Sequence, residues 1–455
     1  MTKPDTFVQP RQDELSRRER VRVLKKIIRK SSLQGEIRCR KLQKRCSRKC
    51  PAEVMAWFVI ALWLFGDDCY TQVFRWLHRF AAGQMPSSSA LTQARARLGV
   101  AVLAAVYRQA VRCLCSSQTP EAFYAGRRLV AVDGFVLNLP DSASNRRAFG
   151  KPRNGTSQGA FPQARIVALC EVGSHVFFSF LAKPIRCGEA TMARHVYRDL
   201  PDHSLLLFDI GFCGSQLMGQ VMDQHSDFLG RAKPSRRFRK LQVLRDGSYL
   251  SKIYSTDYDR VHDRRGRSVR VLEYSLDDPQ RPGHAQRHRL VTTLLDEQAH
   301  PARKLIVLYH QRWEEELAID EAKTHLRHSA KLRSHSAAGV VQELYGLLIA
   351  HFIIRKLALE AATEAGISPR QISFTATLRV LRVSLVEAPR SPRLFRAWYA
   401  GLLSEVSLQR LEPRRQRINP RVIKRPQSKW PKARPKHRQR PPLSRPFADT
   451  IRLLT

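Results

Sequence analysis

Two aspartates and one helical stripe carry the chemistry this sequence can perform. Asp133 follows the apolar run Leu129–Val132, and Asp209 follows Leu205–Phe208. Short apolar runs of this kind read as strands, so both carboxylates are expected at strand ends, where acids on neighbouring strands can converge on one edge of a sheet. Two carboxylates so placed repel each other and invite a hard cation. Mg²⁺ takes a few carboxylates and fills its shell with water and phosphate oxygens. Two ions about 4 Å apart can activate an attacking oxygen and stabilise a leaving one in phosphoryl transfer. An Asp at a strand end is also an ordinary turn residue or helix cap. Here Asp209 opens Asp-Ile-Gly-Phe, whose Gly211 leaves the carboxylate unobstructed, and Asp133 precedes Gly134.

The third acid rests on helical spacing. Tyr309, Arg312, Glu316 and Lys323 are separated by 3, 4 and 7 residues. At about 100° per residue they share a sector of roughly 60°, with Trp313 and Leu317 on an adjacent face that can bury. A tyrosine, two cations and an acid on one stripe can hold a metal and grip phosphates, Arg312 as a bidentate fork and Lys323 as a point charge. The same spacing makes Arg312–Glu316 an exposed ion-pair rung, and spacing alone leaves both readings open.

The elements that must position these groups fall into regions. Met1 to Ser117 reads as helical: a basic helix Arg17–Lys30, a helix opened by Pro51 and running to Phe65, an amphipathic segment Thr71–Phe80, and a short helix Ala90–Leu98 capped by Ser87–Ser89 and stopped by Gly99. Gln93, Arg95 and Arg97 on that last helix suit either a major-groove reader or the solvated face of a bundle. From Leu129 to His225 the period changes to strands (Leu129–Val132, Phe135–Leu139, Ala164–Glu171, His175–Leu181, Leu205–Phe208) with a helix Ala190–Asp199, an α/β pattern with a mixed sheet. Asp227 to about Thr293 reads as a β-rich insertion, with strands Leu241–Leu244, Val269–Tyr274 and His288–Thr292 and turns at Asp246–Gly247 and Pro282–Gly283. Pro301 to Ala362 is helical, and after Pro413 the chain is Arg- and Pro-rich. The expected domains are 1–117, 125–362 and 363–455, the last for dimerisation or DNA contact.

Charge supplies the partner. With 80 Lys and Arg against 39 Asp and Glu, the net charge of the 455-residue chain is +41, far more than solubility requires. Self-repulsion of that size calls for a polyanion, and nucleic acid, which releases counterions on binding, fits better than an anionic membrane. The longest apolar run, Val54–Phe65, is twelve residues, short of the ~20 that span a bilayer. The polar, charged opening is not a signal peptide, and nine scattered Cys suit free thiols in a reducing compartment; a cytoplasmic, nucleoid-associated protein is expected. Cys39, Cys46 and Cys50 lack the pairing of a zinc site.

These segments resemble insertion-sequence transposases of the IS-four family. Tyr309-His-Gln-Arg312-Trp-Glu-Glu-Glu316 with Lys323 is similar to the family's Y-(2)-R-(3)-E-(6)-K signature. Val-Asp133-Gly-Phe and its continuation to Phe149-Gly resemble the first acidic motif, and Asp209-Ile-Gly-Phe212 the second. Leu42–Leu98 looks like the family's N-terminal domain, and Asn419-Pro-Arg-Val-Ile-Lys-Arg fits its tail. Two features depart from the pattern: Ile210 stands where a cation is common, and three consecutive glutamates make the third ligand a matter of register, which only Glu316 satisfies.

The resemblance implies an RNase H-like α/β catalytic core with a β-rich insertion, preceded by a helical N-terminal domain and followed by a basic tail. It implies that Asp133, Asp209 and Glu316 bind Mg²⁺ or Mn²⁺, two ions, and catalyse cleavage and strand transfer at the ends of a mobile element. Tyr309, Arg312 and Lys323 then bind DNA phosphates, and the protein works on double-stranded DNA as a homodimer. The alternatives are a catalytically inactive DNA-binding relative and an RNase H-like nuclease that cuts without joining.

Overall fold

The computed structural model describes residues 20–28, 30–42, 50–78, 85–116, 118–154, 157–279, 284–326, 332–389, 391–411 and 445–454. Cys46, the Pro282–Gly283 turn and the 419–440 part of the tail lie outside them. The chain forms two compact units that are not contiguous in sequence. The first comprises Met1–Ala125, Val132–Asp199 and Glu314–Arg410; the second comprises Gly126–Ala131, Leu200–Trp313 and Leu411–Thr455.

The first unit is built on two apolar helices. Ala52–Leu64 is buried around nearly its whole circumference, as a helix that is apolar on every side must be; Pro51 caps it rather than opening it. Ala337–Glu364 is long and apolar enough to cross a membrane, yet 72% of its most apolar 18-residue window is buried inside the fold, and it serves as the core helix. Gly346 lets the two approach, because a Cβ there would stand 2.9 Å from the Val59 carbonyl oxygen. The Trp63 indole donates to the Glu343 carbonyl oxygen at 2.9 Å. Helices Tyr70–Leu77 and Ser88–Leu98 follow as expected, the second with the Ser87 hydroxyl accepting from the Ala90 N–H and Gly99 at φ 70°. The basic N-terminal segment is two helices, Arg22–Ile27 and Lys30–Cys39, rather than one. The hairpin Gln163–Glu171 and Val176–Pro184 pairs antiparallel with a bulge at Leu169/Cys170.

In the second unit, a sheet runs from residues 127–131 through Ser204–Phe208, Asp227–Arg231, His288–Thr292, Arg267–Leu276 and Tyr249–Ile253 to the edge pair Gln242–Val243. Ser204–Phe208 and Asp227–Arg231 pair in parallel, and the later pairs are antiparallel. The segment expected to be a separate insertion thus begins with a strand parallel to the one before it. Gly230 is dictated by packing, since a Cβ would fall 2.0 Å from the Phe208 ring. Arg270 is fully buried in its strand and satisfied by the Asp246 carboxylate, the Ser248 hydroxyl at 2.7 Å and the His300 carbonyl oxygen at 2.7 Å. The chain end returns as strand Ile451–Leu453 on Arg267–Leu276, and the Phe447 ring stacks on His310 at 4.6 Å. The last residues of the tail are therefore structured.

Candidate active site

Within the second unit, Asp209 directly follows the buried strand Ser204–Phe208 and precedes a 3-10 turn Ile210–Phe212. That is the strand-end placement expected of it. Helix Ala302–Tyr309 brings the Tyr309 hydroxyl within 3.2 Å of the Phe208 carbonyl oxygen, to which it donates. The Tyr309 phenol is pushed well up, first by burial and also by the Asp209 charge, while the Arg312 and Arg231 guanidiniums oppose that rise. Asp209, Tyr309, Arg312 and Arg231 thus share one electrostatic neighbourhood: one acid, one neutral hydroxyl and two permanent cations. Arg236, from the segment after Asp227–Arg231, donates to the Cys213 carbonyl oxygen at 2.9 Å and to the Ser215 hydroxyl. It fixes the loop that leaves Asp209.

In the first unit, Asp133 is half-buried and lies inside the strand Arg127–Asn138, not at its end. The runs expected as two strands, Leu129–Val132 and Phe135–Leu139, are one, and the chain stays extended through Gly134. Oδ1 of Asp133 accepts the Gly134 N–H at 2.7 Å. The Glu189 side chain packs over Gly134, so that a Cβ there would meet its carboxyl carbon at 2.9 Å. Glu189 is a further acid near Asp133 that sequence reasoning missed, because nothing in its own surroundings marks it.

The segment expected to be helical from Pro301 to Ala362 is divided among several helical elements. An α-helix ends at Tyr309, a 3-10 turn covers His310–Arg312, an α-helix covers Trp313–Asp320, and a π turn covers Glu321–His325. A uniform 100° step therefore does not hold from Tyr309 to Lys323. Trp313, on the face read as able to bury, is 52% exposed. The three glutamates separate by burial. Glu314 and Glu315 are buried, at 8% and 0% exposure, whereas Glu316 is half-buried. The residue that spacing selected is the one of the three that is not buried. Lys323 is likewise half-buried, in the π turn.

Buried polar groups flank this acid. The His175 ring Nε2 lies 3.0 Å from Glu314 Oε2, and its Nδ1 lies 3.0 Å from Glu321 Oε1 and 2.8 Å from the Arg355 guanidinium. A guanidinium can only donate, so Nδ1 accepts, and Nε2–H donates to Glu314. Burial, then the Arg355 charge, depress His175 to about 4, consistent with a neutral ring. His351 Nε2 and Arg355 Nε meet Glu321 Oε2 at 3.2 and 2.8 Å.

Of the three residues considered for DNA contact on helix Ser88–Leu98, Gln93 and Arg97 are exposed. Arg95 is 5% exposed and donates to Glu343 Oε1 at 3.2 and 3.3 Å, to Gln342 at 3.0 Å and to the Ser334 hydroxyl at 3.1 Å. Its place is in the core of the first unit and not on a DNA-facing surface.

The donor set expected from the sequence, Asp133, Asp209 and Glu316, consists of three carboxylates without thiolate or imidazole, the chemistry that suits Mg²⁺ or Mn²⁺. Among the described residues no group of three or more His, Cys, Asp or Glu is placed to hold a metal ion. That includes Cys39 and Cys50, one exposed and one buried.

Two family models match the sequence: that of the transposase DDE domain over residues 124–353 and that of the insertion element 4 transposase N-terminal region over residues 18–108. The transposase InsG for insertion sequence element IS4 of Escherichia coli (strain K12) is 27% identical over 394 residues, 85% of this chain and 88% of that protein. The putative transposase InsZ of the same organism is 30% identical over 176 residues, 38% of this chain and 57% of that protein. Among solved structures, a piggyBac transposase synaptic complex with hairpin DNA gives a TM-score of 0.45 at 10% identity, covering 84% of this chain and 85% of that one. That likeness is too distant to bear on the fold.

Proposed function

This chain belongs to the DDE transposases of the insertion element 4 type, and from that premise we propose that it binds the terminal repeats of its own element and cuts and rejoins DNA there through Asp133, Asp209 and Glu316. An enzyme of this family catalyses DNA cleavage and strand transfer; the proposal concerns which residues do it and on which DNA. The catalytic core is of RNase H-like type, with the β-rich segment between Asp209 and Glu316.

In this reading Asp133, Asp209 and Glu316 hold Mg²⁺ or Mn²⁺, two ions. When bound, these activate the attacking oxygen and neutralise charge on the leaving one. Arg312, beside Asp209 and Tyr309, takes a phosphate through two N–H donors, and Lys323 adds a point charge. The Tyr309 hydroxyl, kept protonated by burial, would turn from the Phe208 carbonyl oxygen, to which it donates here, to a phosphate oxygen without adding charge. Water attacks the phosphorus first: its oxygen bonds to phosphorus, the P–O3′ bond breaks, and the 3′ oxygen takes a proton. The freed 3′-OH then attacks a second phosphorus, on the opposite strand or on target DNA. The net charge of +41 supplies backbone affinity that falls with salt. Gln93 and Arg97 are candidates for base or backbone contact, and a homodimer would present one active site to each end.

The observation that carries the reading is that Glu316, the glutamate at the family's spacing from Tyr309 and Lys323, is the one of three consecutive glutamates that is half-buried, while Glu314 and Glu315 are buried. The test is a cleavage assay in Mg²⁺ on labelled DNA containing one element end with its flank. Asp133→Ala, Asp209→Ala and Glu316→Gln should each abolish nicking while end binding stays near wild type. Residual nicking in any one removes that residue from the site. A strand-transfer product separates the proposal from a nuclease that only cuts.

A further inference from the structure

The first unit contains a buried set of five polar side chains that the phosphoryl-transfer chemistry does not use: His175, Glu314, Glu321, His351 and Arg355, all between 1% and 8% exposed. Burying two carboxylates costs several kcal/mol each unless they are paired and hydrogen-bonded. Such a cluster therefore holds together only when every member is in place. The members come from three elements: His175 from the turn between strands Gln163–Glu171 and Val176–Pro184, the two glutamates from the 313–325 segment, and His351 and Arg355 from helix Ala337–Glu364.

Their spacing has a consequence for Glu316. Glu314 and Glu321 are seven residues apart, which on an α-helix puts them about 20° apart in rotation and about 10 Å apart along the axis. The imidazole donates through Nε2–H to Glu314 at 3.0 Å, and its Nδ1 accepts from Arg355 at 2.8 Å, which in turn donates to Glu321 at 2.8 Å, so His175 and Arg355 together tie the two glutamates. His175 sits at φ 62° in the hairpin turn, its N–H donating to the Glu171 carbonyl oxygen at 2.8 Å; a histidine takes this left-handed conformation more readily than most residues. Glu316 stands two residues beyond the gripped Glu314, about 200° around the Trp313–Asp320 helix. Gripping Glu314 inward therefore turns Glu316 to the opposite face. The grip coincides with the π turn, which starts at Glu321 and closes with the Leu326 N–H on the Glu321 carbonyl oxygen at 2.8 Å. An extra residue in a helix turn re-aims the side chains C-terminal to it.

We propose that the His175–Glu314–Glu321–His351–Arg355 cluster is a clamp that fixes the rotation of the Trp313–Asp320 helix, so that of the three consecutive glutamates Glu316 alone is presented for metal, with His175 and Arg355 as positioning residues. The inference rests on the assignment of Glu316 made above. It explains why the run Glu314–Glu316 is not ambiguous in the folded protein: two of the three are committed to the interior.

The experiment uses the full chain. His175→Leu removes the link between the two glutamates, and Glu314→Leu removes one of them without stranding a charge. Ile353→Ala, in the apolar core of the same unit, serves as a control for destabilisation by a cavity that removes no member of the clamp. Mn²⁺ binding is read by electron paramagnetic resonance without DNA, and hydrogen exchange of Trp313–Asp320 without metal. The nicking rate is read at saturating DNA end. A misplacement on the order of 1 Å costs about 100-fold in rate, so His175→Leu should lose about that much nicking, weaken Mn²⁺ at least about tenfold and deprotect the helix, with end affinity unchanged. Ile353→Ala should leave Mn²⁺ affinity and nicking near wild type, and Glu314→Gln, which keeps the acceptor for His175, should restore both. If His175→Leu does not fold, Glu314→Leu is read in the same way. The proposal is overturned if a folded clamp variant binds Mn²⁺ and nicks like wild type, or if Ile353→Ala shows the same losses. A wild-type protein that binds no Mn²⁺ and never nicks refutes the functional reading instead, and the exchange data still report whether the clamp holds the helix.

Discussion

Arg95→Met separates a structural arginine from a DNA-reading one. On sequence, Gln93, Arg95 and Arg97 form one polar group on a short helix; in the fold Arg95 points inward and its neighbours outward. Its guanidinium donates to Glu343, Gln342 and Ser334 at 3.0 to 3.3 Å and also to the Tyr70 hydroxyl. Met fills a similar volume but leaves Glu343, 1% exposed, without its cation. Glu343 retains the Ser334 hydroxyl and the Arg333 N–H at 2.8 Å, which soften the loss without cancelling the charge. Removing one partner of a buried ion pair costs about 3–5 kcal/mol, and for a unit of this size that corresponds to a fall in melting temperature on the order of 10 °C. The double variant Arg95→Met/Glu343→Leu should recover much of it, since an apolar pair of similar volume replaces buried ions at little cost. The assay is thermal unfolding by circular dichroism, with DNA affinity measured well below the melting range. The reasoning is refuted if Arg95→Met melts like wild type while losing end affinity, which would place Arg95 on the DNA.

The same geometry sets three other outcomes. Arg312→Ala should weaken strand-end binding more than Lys323→Ala, because a planar fork makes two bonds where an ammonium makes one; equal losses in a binding titration would count against bidentate contact. Gly230→Ala should destabilise by about 1–3 kcal/mol, the usual cost of overpacking, because its Cβ would enter the Phe208 ring; an unchanged denaturation midpoint would contradict that packing. His78, buried against Phe74, is depressed by burial from 6.5 to about 4. The unfolded chain then takes a proton below about pH 6.5 that the fold refuses, so stability is present above that pH and is lost as pH falls towards 4. His78→Leu should reduce the acid sensitivity by about 2 kcal/mol between pH 7 and 5, and an unaltered slope of stability against pH would refute the assignment.

Much of the site was legible because strands and acids announce themselves together. The unbroken run Leu205–Phe208 marks a buried strand, and Asp209 stands where that strand must end. Asp133 was legible as a residue but not in its setting, since Gly134 reads as a break and the chain in fact continues extended to Asn138. Strand Tyr249–Ile253 was missed, as its alternating residues sit among basic, turn-like neighbours. Arg95, Arg270 and the glutamates at 314 and 321 defeat residue-type reasoning: charged side chains are mostly exposed, and only partners 22 to 248 positions away in sequence reveal that these are not. The π turn at Glu321 is also invisible locally, because what accompanies it is a grip from His175 and Arg355, residues remote in the chain. The two units interleave three segments each, an arrangement that composition along the chain does not express.

The most direct test replaces Mg²⁺ by Fe²⁺ and, with ascorbate and peroxide, lets the bound iron cut the polypeptide beside its own ligands, the cut sites being mapped by mass spectrometry. Joint coordination by Asp133, Asp209 and Glu316 predicts cuts clustered at those three positions, suppressed by excess Mg²⁺ and lost together when any one acid is replaced. Cuts confined elsewhere, or cuts at one acid that persist when the other two are removed, would contradict a shared metal site.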